Sequence, residues 1–210
     1  ISLDGATSAT HDGIRGVPGH FDATLEAIRR LRRHGITVQV NSVVMRDTVD
    51  ELAAIARLVK ESGASIWELF FLVQIGRGES LGELALEENE HVCHFLGYAS
   101  RFWLIVRTVE APFFRRVVAE RAQGGMPPRR ALYARLSSAL HAELGEPGGP
   151  PRAQTKGTRD GRGIIFVGHD GEITPSGFLP YRLGNVRDDD IVDVYRNHPL
   201  LQSIRAAEFS

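Results

Sequence analysis

The sequence predicts an α/β protein of parallel β/α repeats followed by a smaller region of different texture. Three observations carry that expectation. Over the first two-thirds, apolar residues at three- to four-residue steps alternate with short β-branched runs. Two of those runs start near residues 36 and 65, about 30 residues apart, the size of a βαβ unit. Beyond residue 160 the texture changes to short apolar stretches separated by turn residues.

Taken in order, HFDATLEAIRRLRRHG puts Phe21, Leu25, Ile28 and Leu31 on one helical face with arginines opposite, and Gly35 supplies the stop. ITVQVNSVV, residues 36–44, alternates β-branched and polar residues and reads as a strand. TVDELAAIARLVKESG repeats the helical pattern through Val49, Leu52, Ile55 or Ala56, and Val59, closed by Gly63. SIWELFFLV, residues 65–73, is a strand apolar enough for burial on both faces. A third helix, LEENEHVCHFLGYASRF, turns Val92, Phe95, Leu96 and Ala99 inward, and WLIVRTVE, residues 103–110, is a further strand. Residues 111–146 are helical but interrupted at GGMPP, and residues 145–163 have the glycine, proline and charge of a linker. GIIFVGHDGEITPSG then places two short strands around Asp170-Gly171, a hairpin signal. DDIVDVYRNHPLLQSIR is a short helix with a proline-broken continuation.

The totals exclude some functions. A net charge of −1 gives no electrostatic case for nucleic acid or an anionic membrane as partner, and no apolar run approaches the roughly 18 residues of a membrane span. The single cysteine, Cys93, excludes an intramolecular disulfide and fits a reducing compartment. With no leader pattern in sight, the expected location is cytoplasmic.

Parallel β/α proteins bind ligands at the carboxyl ends of their strands. That rule selects SLDG, residues 41–46, and QIGRGE, where the glycines allow close backbone approach to a ligand. Each has a plain structural reading as well. Asp4-Gly5 serves as a turn, Arg15 as a surface residue, Asn41 as a partner for strand-end backbone, and His11 and Asp12 as groups that shape a loop. Cys93 on an amphipathic helix is a small core residue, and adjacent Cys93 and His94 do not face one ligand. Glu110 is unexplained by pattern and is a candidate to point inward.

In their order and spacing, ISLDG, HDGIRG with GHFDATLEAI, VQVNSVVMRDTVDEL, FFLVQIGRGE, GIIFVGHDGEITPSGFLP and GNVRDDDIVDVYRNHPLLQSIR resemble the radical SAM superfamily, specifically members with a C-terminal SPASM domain. The resemblance covers nearly the whole chain apart from residues 115–160. It implies the C-terminal half of a partial (β/α)6 TIM-like barrel, strands four to six, at residues 1–145. A linker at 146–162 and the start of a small α+β SPASM-type extension at 163–210 follow. The implied activity is reductive cleavage of S-adenosylmethionine by a 4Fe–4S cluster. The resulting 5′-deoxyadenosyl radical abstracts hydrogen from a peptide or cofactor precursor, and an external donor supplies the electron. Ser2 and Arg15 match positions that bind the methionyl carboxylate, which a hydroxyl and a bidentate guanidinium suit chemically. Asp4 belongs to the same SxD segment, Asn41 matches the cofactor or substrate face, and Leu72, Gln74 and Gly76 match the region against adenine.

The CxxxCxxC motif is absent, and a cluster of this kind needs three thiolates. In the family that motif and the GGEP-type segment precede ISLDG, and the SPASM cysteines follow Arg205. Ser176 stands where many relatives carry an auxiliary cysteine. The cluster ligands are therefore expected outside this chain, no metal ligand is assigned within it, and the chain is expected to be an internal fragment, inactive alone. Two alternatives stay open: a degenerate relative that binds a peptide or partner without radical chemistry, and a non-redox barrel enzyme holding a phosphorylated metabolite at Gly76 to Gly78.

Overall fold

Helix α1 (Ser8–Arg15) and helix α2 (His20–Arg33) come first, ahead of strand β1 (Gln39–Val44). The computed structural model describes residues 1–73, 81–109, 111–127, 130–155, 160–177 and 179–207, in two compact units, Ile1–Thr155 and Lys156–Ser210. In the first unit a 3-10 turn leads into α3 (Leu52–Glu61), then β2 (Ile66–Phe71), α4 (Leu86–Ala99), β3 (Ile105–Val109), α5 (Phe113–Ala122) and α6 (Ala131–Leu144).

The strands pair in chain order, β1-β2-β3, all parallel, with Asn41 opposite Glu68 and Glu68 opposite Arg107. The ladder extends at both edges. Ser2 bridges Asn41 in parallel, with Leu3 N donating to Asn41 O at 2.8 Å and Asn41 N to Ile1 O at 2.8 Å. On the far side Ala153 bridges Val106 in parallel, and Gln154 N donates to Val106 O at 2.8 Å. Each extended segment thus lies beside the one before it, with helices crossing between, as repeated β/α units dictate.

Three strand boundaries differ from the sequence reading for local reasons. Ile36 N donates to Leu31 O at 3.1 Å and Gly35 sits at φ 73°, so this backbone closes α2 and β1 begins only at Gln39. Trp103 adopts φ 68° in the turn after α4, which delays β3 to Ile105. Leu72 and Val73 fall just beyond the last ladder residue, Phe71.

The core lies between the helices and one sheet face. Val40, Ser42, Val44, Trp67, Leu69, Phe71 and Val106 are buried there against Leu25, Ile28, Leu52, Ile55, Val59, Val92, Phe95 and Leu96. Burial of each large apolar side chain stabilises by roughly 1.5–3 kcal/mol. Ser42 joins three strands: its hydroxyl donates to Leu3 O at 2.6 Å and accepts from Trp67 Nε1 at 3.0 Å. The opposite sheet face is only half-buried, and Glu68 lies on it. The expectation that residues 65–73 are covered on both faces is corrected accordingly: strict alternation, with one side left open, describes β2.

In the second unit β4 (Phe166–Val167), β5 (Glu172–Thr174) and β6 (Gly184–Asn185) form an antiparallel sheet. The β4–β5 turn closes through Gly171 N donating to Gly168 O at 3.0 Å, with Gly171 at φ 86°, where a side chain would be strained. The Asp190 carboxylate accepts from Val192 N and Asp193 N to start α7 (Ile191–Asn197), and His198-Pro199 breaks it from α8 (Pro199–Ala206). Ile173, Leu183 and Leu201 form its small core.

Candidate functional site

Asp4 organises the edge of the first unit. It is buried, and both carboxylate oxygens and the backbone N–H have partners. Oδ1 accepts from Val43 N at 2.9 Å, Oδ2 forms an ion pair with Arg15 Nη2, and the backbone N donates to His11 Nδ1 at 3.1 Å. The helix α1 fold-back that delivers Arg15 is fixed at both ends. Glu51 accepts from Ala6 N at 2.6 Å and from the Thr10 hydroxyl at 2.7 Å, and Thr7 caps the first turn. Asp12 then accepts from Gly19 N and Phe21 N, both at 2.7 Å, setting the entry of α2. Gly5 lets α1 approach: a Cβ there would stand 2.7 Å from His11 N and 2.8 Å from Thr10 Cβ.

Beside this edge lies a shallow cavity of about 420 Å³, lined by Ile1, Ser2, Arg15, His20, Ala23, Thr24 and Ala27. Ser2 and Arg15, expected to act together, therefore do face one space. The carboxylate that Arg15 grips in this structure is that of Asp4, through Nη2. His11 Nε2 lies 2.8 Å from His20 Nδ1, and the Thr24 hydroxyl is 3.3 Å from the same His20 nitrogen. Burial holds His11 below its ordinary pKa of 6.5, the Asp4 charge opposing that only in part.

A second polar surface runs across the open sheet face. The register places Ser2, Asn41, Glu68 and Arg107 in one lateral row. Gln39 Nε2 donates to Asn41 Oδ1 at 2.9 Å and to Glu68 Oε2 at 2.7 Å, while Arg107 Nε donates to Gln154 Oε1 at 2.6 Å. Asn41 is thus next to Ser2 on this row and already engaged with Gln39. Leu72 is half-buried just past β2, and Gln74 and Gly76 lie outside the described residues, as do Arg77, Gly78 and Glu110. Sequence reasoning missed His20, Gln39, Glu68, Arg107 and Gln154. The signal for three of them was available: alternation along the strands puts Gln39, Glu68 and Arg107 on the face opposite Val40, Trp67 and Val106.

Cys93 is fully buried in α4, and desolvation pushes its thiol pKa far up. Among the described residues no group of three or more His, Cys, Asp or Glu is placed to hold a metal ion. With one cysteine, and that one in the core, the residues of this chain do not fit a 4Fe–4S cluster. The donor set at the cavity does fit an organic carboxylate: a hydroxyl and a guanidinium that is braced rather than neutralised at every donor. Among the described residues no helix is long and apolar enough to cross a membrane.

No family model matches the chain. It is 30% identical over 99% of its length to the AdoMet-dependent heme synthase of Methanosarcina barkeri, covering 56% of that protein. Over 43% of the chain it is 32% identical to AlbA, the antilisterial bacteriocin subtilosin biosynthesis protein of Bacillus subtilis, covering 20% of it. The structure of Streptococcus suis SuiB bound to S-adenosylmethionine aligns with the whole chain at a TM-score of 0.59 and 13% identity, over 44% of SuiB, a likeness of fold. SuiB has also been solved with its precursor peptide SuiA. The chain spans about half the length of the heme synthase and SuiB.

Proposed function

The chain is a relative of radical SAM superfamily enzymes over nearly its whole length, and from that premise we propose that it is part of a SPASM-bearing radical SAM enzyme acting on a heme-type cofactor precursor. In this reading residues 1–145 are the last units of the partial barrel and residues 163–210 the start of the extension. The 4Fe–4S ligands and the electron donor lie outside these residues. Bound S-adenosylmethionine supplies, on reductive cleavage, the 5′-deoxyadenosyl radical that abstracts hydrogen from substrate.

This chain's own contribution is binding and orientation. Ser2 and Arg15 take the methionyl carboxylate at the cavity, with Asp4 fixing the guanidinium. Asn41 and Leu72 meet the nucleoside in this reading, the region to which the resemblance also assigns Gln74 and Gly76. Glu68 and Arg107, further along the open face, meet the polar groups of the substrate. The single observation that carries the reading is that Ser2 and Arg15, thirteen positions apart, share one cavity on a chain related to an AdoMet-dependent heme synthase. Extent of similarity favours a cofactor precursor over a peptide: the heme synthase aligns with 99% of the chain, the peptide-pathway protein with 43%.

Isothermal titration with S-adenosylmethionine tests the site. The wild-type chain binds, Ser2→Ala weakens binding severalfold, and Arg15→Ala weakens it by about 10- to 100-fold, the loss of charge-assisted bonds. Unchanged affinity in both variants, with circular dichroism intact, overturns the assignment. A Soret shift on adding an iron porphyrin with propionate side chains, with none from a peptide, is the outcome expected for the substrate class; the reverse result returns the reading to a peptide.

A further inference from the structure

The proton positions of the two histidines beside the cavity follow from their partners. The Asp4 backbone N–H points at His11 Nδ1 at 3.1 Å, and an amide N–H only donates, so Nδ1 is the unprotonated acceptor. A neutral His11 therefore carries its proton on Nε2. That nitrogen lies 2.8 Å from His20 Nδ1, which must accept it. The Thr24 hydroxyl lies 3.3 Å from the same atom, whose single lone pair the shorter His11 contact takes. His20 Nδ1 is thus closed to protonation, and the one proton left to the ring sits on Nε2. Among the described residues Nε2 has no hydrogen-bond partner, and His20 lines the cavity that also holds Ser2 and Arg15.

We infer that His20 is the third donor of this cavity, a neutral N–H fixed at Nε2 by a relay that begins at the Asp4 backbone, and that the cavity takes an organic carboxylate through His20, Arg15 and Ser2. The inference rests on the reading of Ser2 and Arg15 given above. The relay divides the work in a useful way. Arg15 brings the positive charge and keeps its place through Asp4. His20 adds direction, since its Nδ1 accepts from His11 and its Nε2–H is left to donate. The burial of His11, which disfavours its charged form, keeps the relay in that state near neutral pH. The ligand carboxylate belongs either to the amino-acid end of S-adenosylmethionine or to a side chain of the substrate.

Long-range ¹H–¹⁵N correlation on histidine-labelled protein reads the tautomer without any variant. The expected spectrum has His20 with a protonated Nε2 and a bare Nδ1; the Nδ1–H form overturns the relay. His11→Asn keeps an acceptor for Asp4 N–H but cannot pass a proton on, and releases His20 to a mixture of tautomers. For the site, His20→Ala is expected to weaken S-adenosylmethionine at least about tenfold and to leave methylthioadenosine, which lacks the amino-acid carboxylate, unchanged. His20→Gln, whose amide supplies a donor near the Nε2 position, restores part of the loss. If binding of an iron porphyrin with propionate side chains falls instead, the carboxylate is the substrate's. If neither ligand is weakened in His20→Ala while Arg15→Ala still weakens one, this inference fails and the Ser2–Arg15 reading stands. Absence of any wild-type binding takes down both.

Discussion

Asp4→Ala is the substitution whose consequences the structure fixes most closely. Asp4 is 2% exposed. Its Oδ1 is the acceptor for Val43 N–H, and alanine leaves that partly buried donor unmade, at about 1–3 kcal/mol. The ion pair with Arg15 contributes less than a fully buried pair. Arg15's side chain is 34% exposed, so water takes over part of its solvation, and about 1 kcal/mol is a fair figure. The Asp4 N–H to His11 is a backbone bond and survives. The sum is about 2–4 kcal/mol. Asp4→Asn keeps an oxygen for Val43 and loses the charge, which gives about 1–2 kcal/mol. Urea unfolding of the three proteins, with m unchanged, measures the difference. Hydrogen exchange locates it: the Val43 amide speeds up in Asp4→Ala and not in Asp4→Asn. Equal stability of the two variants, or an Asp4→Ala effect under about 0.5 kcal/mol, refutes the reasoning.

Four further outcomes are expected. Gly5→Ala places a methyl 2.7 Å from His11 N and destabilises by about 1–3 kcal/mol, whereas Gly97→Ala in α4, with nothing within 4 Å, stabilises by about 0.5–1 kcal/mol; thermal melts showing the same sign for both refute the packing argument. Burial holds His11 and His94 below their ordinary 6.5, so the unfolded chain binds protons the folded chain refuses; stability is full above that pH and falls on acidification, by up to about 1.4 kcal/mol per unit for each histidine, and His11→Asn flattens the slope in urea titrations at several pH values. Cys93 reacts with a thiol reagent only at the rate of unfolding, and fast modification of the native protein contradicts its place in the core. Anaerobic reconstitution of this chain with iron and sulfide leaves no stoichiometric cluster, since three thiolates are needed and one buried cysteine is present; colorimetric iron in cluster stoichiometry contradicts this.

What the sequence made legible was periodic. The inward residues of α2, α3 and α4, the order of parallel strands, and the Asp170-Gly171 hairpin all follow from spacing that a single element records in its own residues. The strand starts were less legible, because Ile36 is claimed by the end of α2 and Trp103 by a turn, and neither competition shows in β-propensity. The open sheet face was misread for a related reason. SIWELFFLV is apolar enough to suit burial on both sides, although alternation sets Glu68 on the face opposite Trp67, and the register with Asn41 and Arg107 makes it one step in a polar row. His11 and Asp12 lie within α1 rather than in a loop, His11 accepting from Asp4 N and Asp12 from Gly19 N and Phe21 N. His20 was invisible because its role depends on a nitrogen nine residues away, a distance that no periodicity encodes.

On the proposed reading, stability and binding fall in one short stretch. Asp4 ties β1, α1 and His11 together: one bond goes to Val43, one holds Arg15, and one reaches His11, where the proposed relay to His20 begins. A cofactor that must present one atom to a distant reaction partner depends on such bracing, because misplacement by about 1 Å can lower a rate about 100-fold. Asp4→Asn separates the two roles. It leaves the Val43 bond and the relay, so the fold loses little, but it removes the negative charge that holds the guanidinium in place. The expected result is a larger loss in S-adenosylmethionine affinity than in stability, with Asp4→Ala losing both. Unchanged affinity with reduced stability for Asp4→Asn shows that the carboxylate supports the fold alone, and that Arg15 finds its ligand without it.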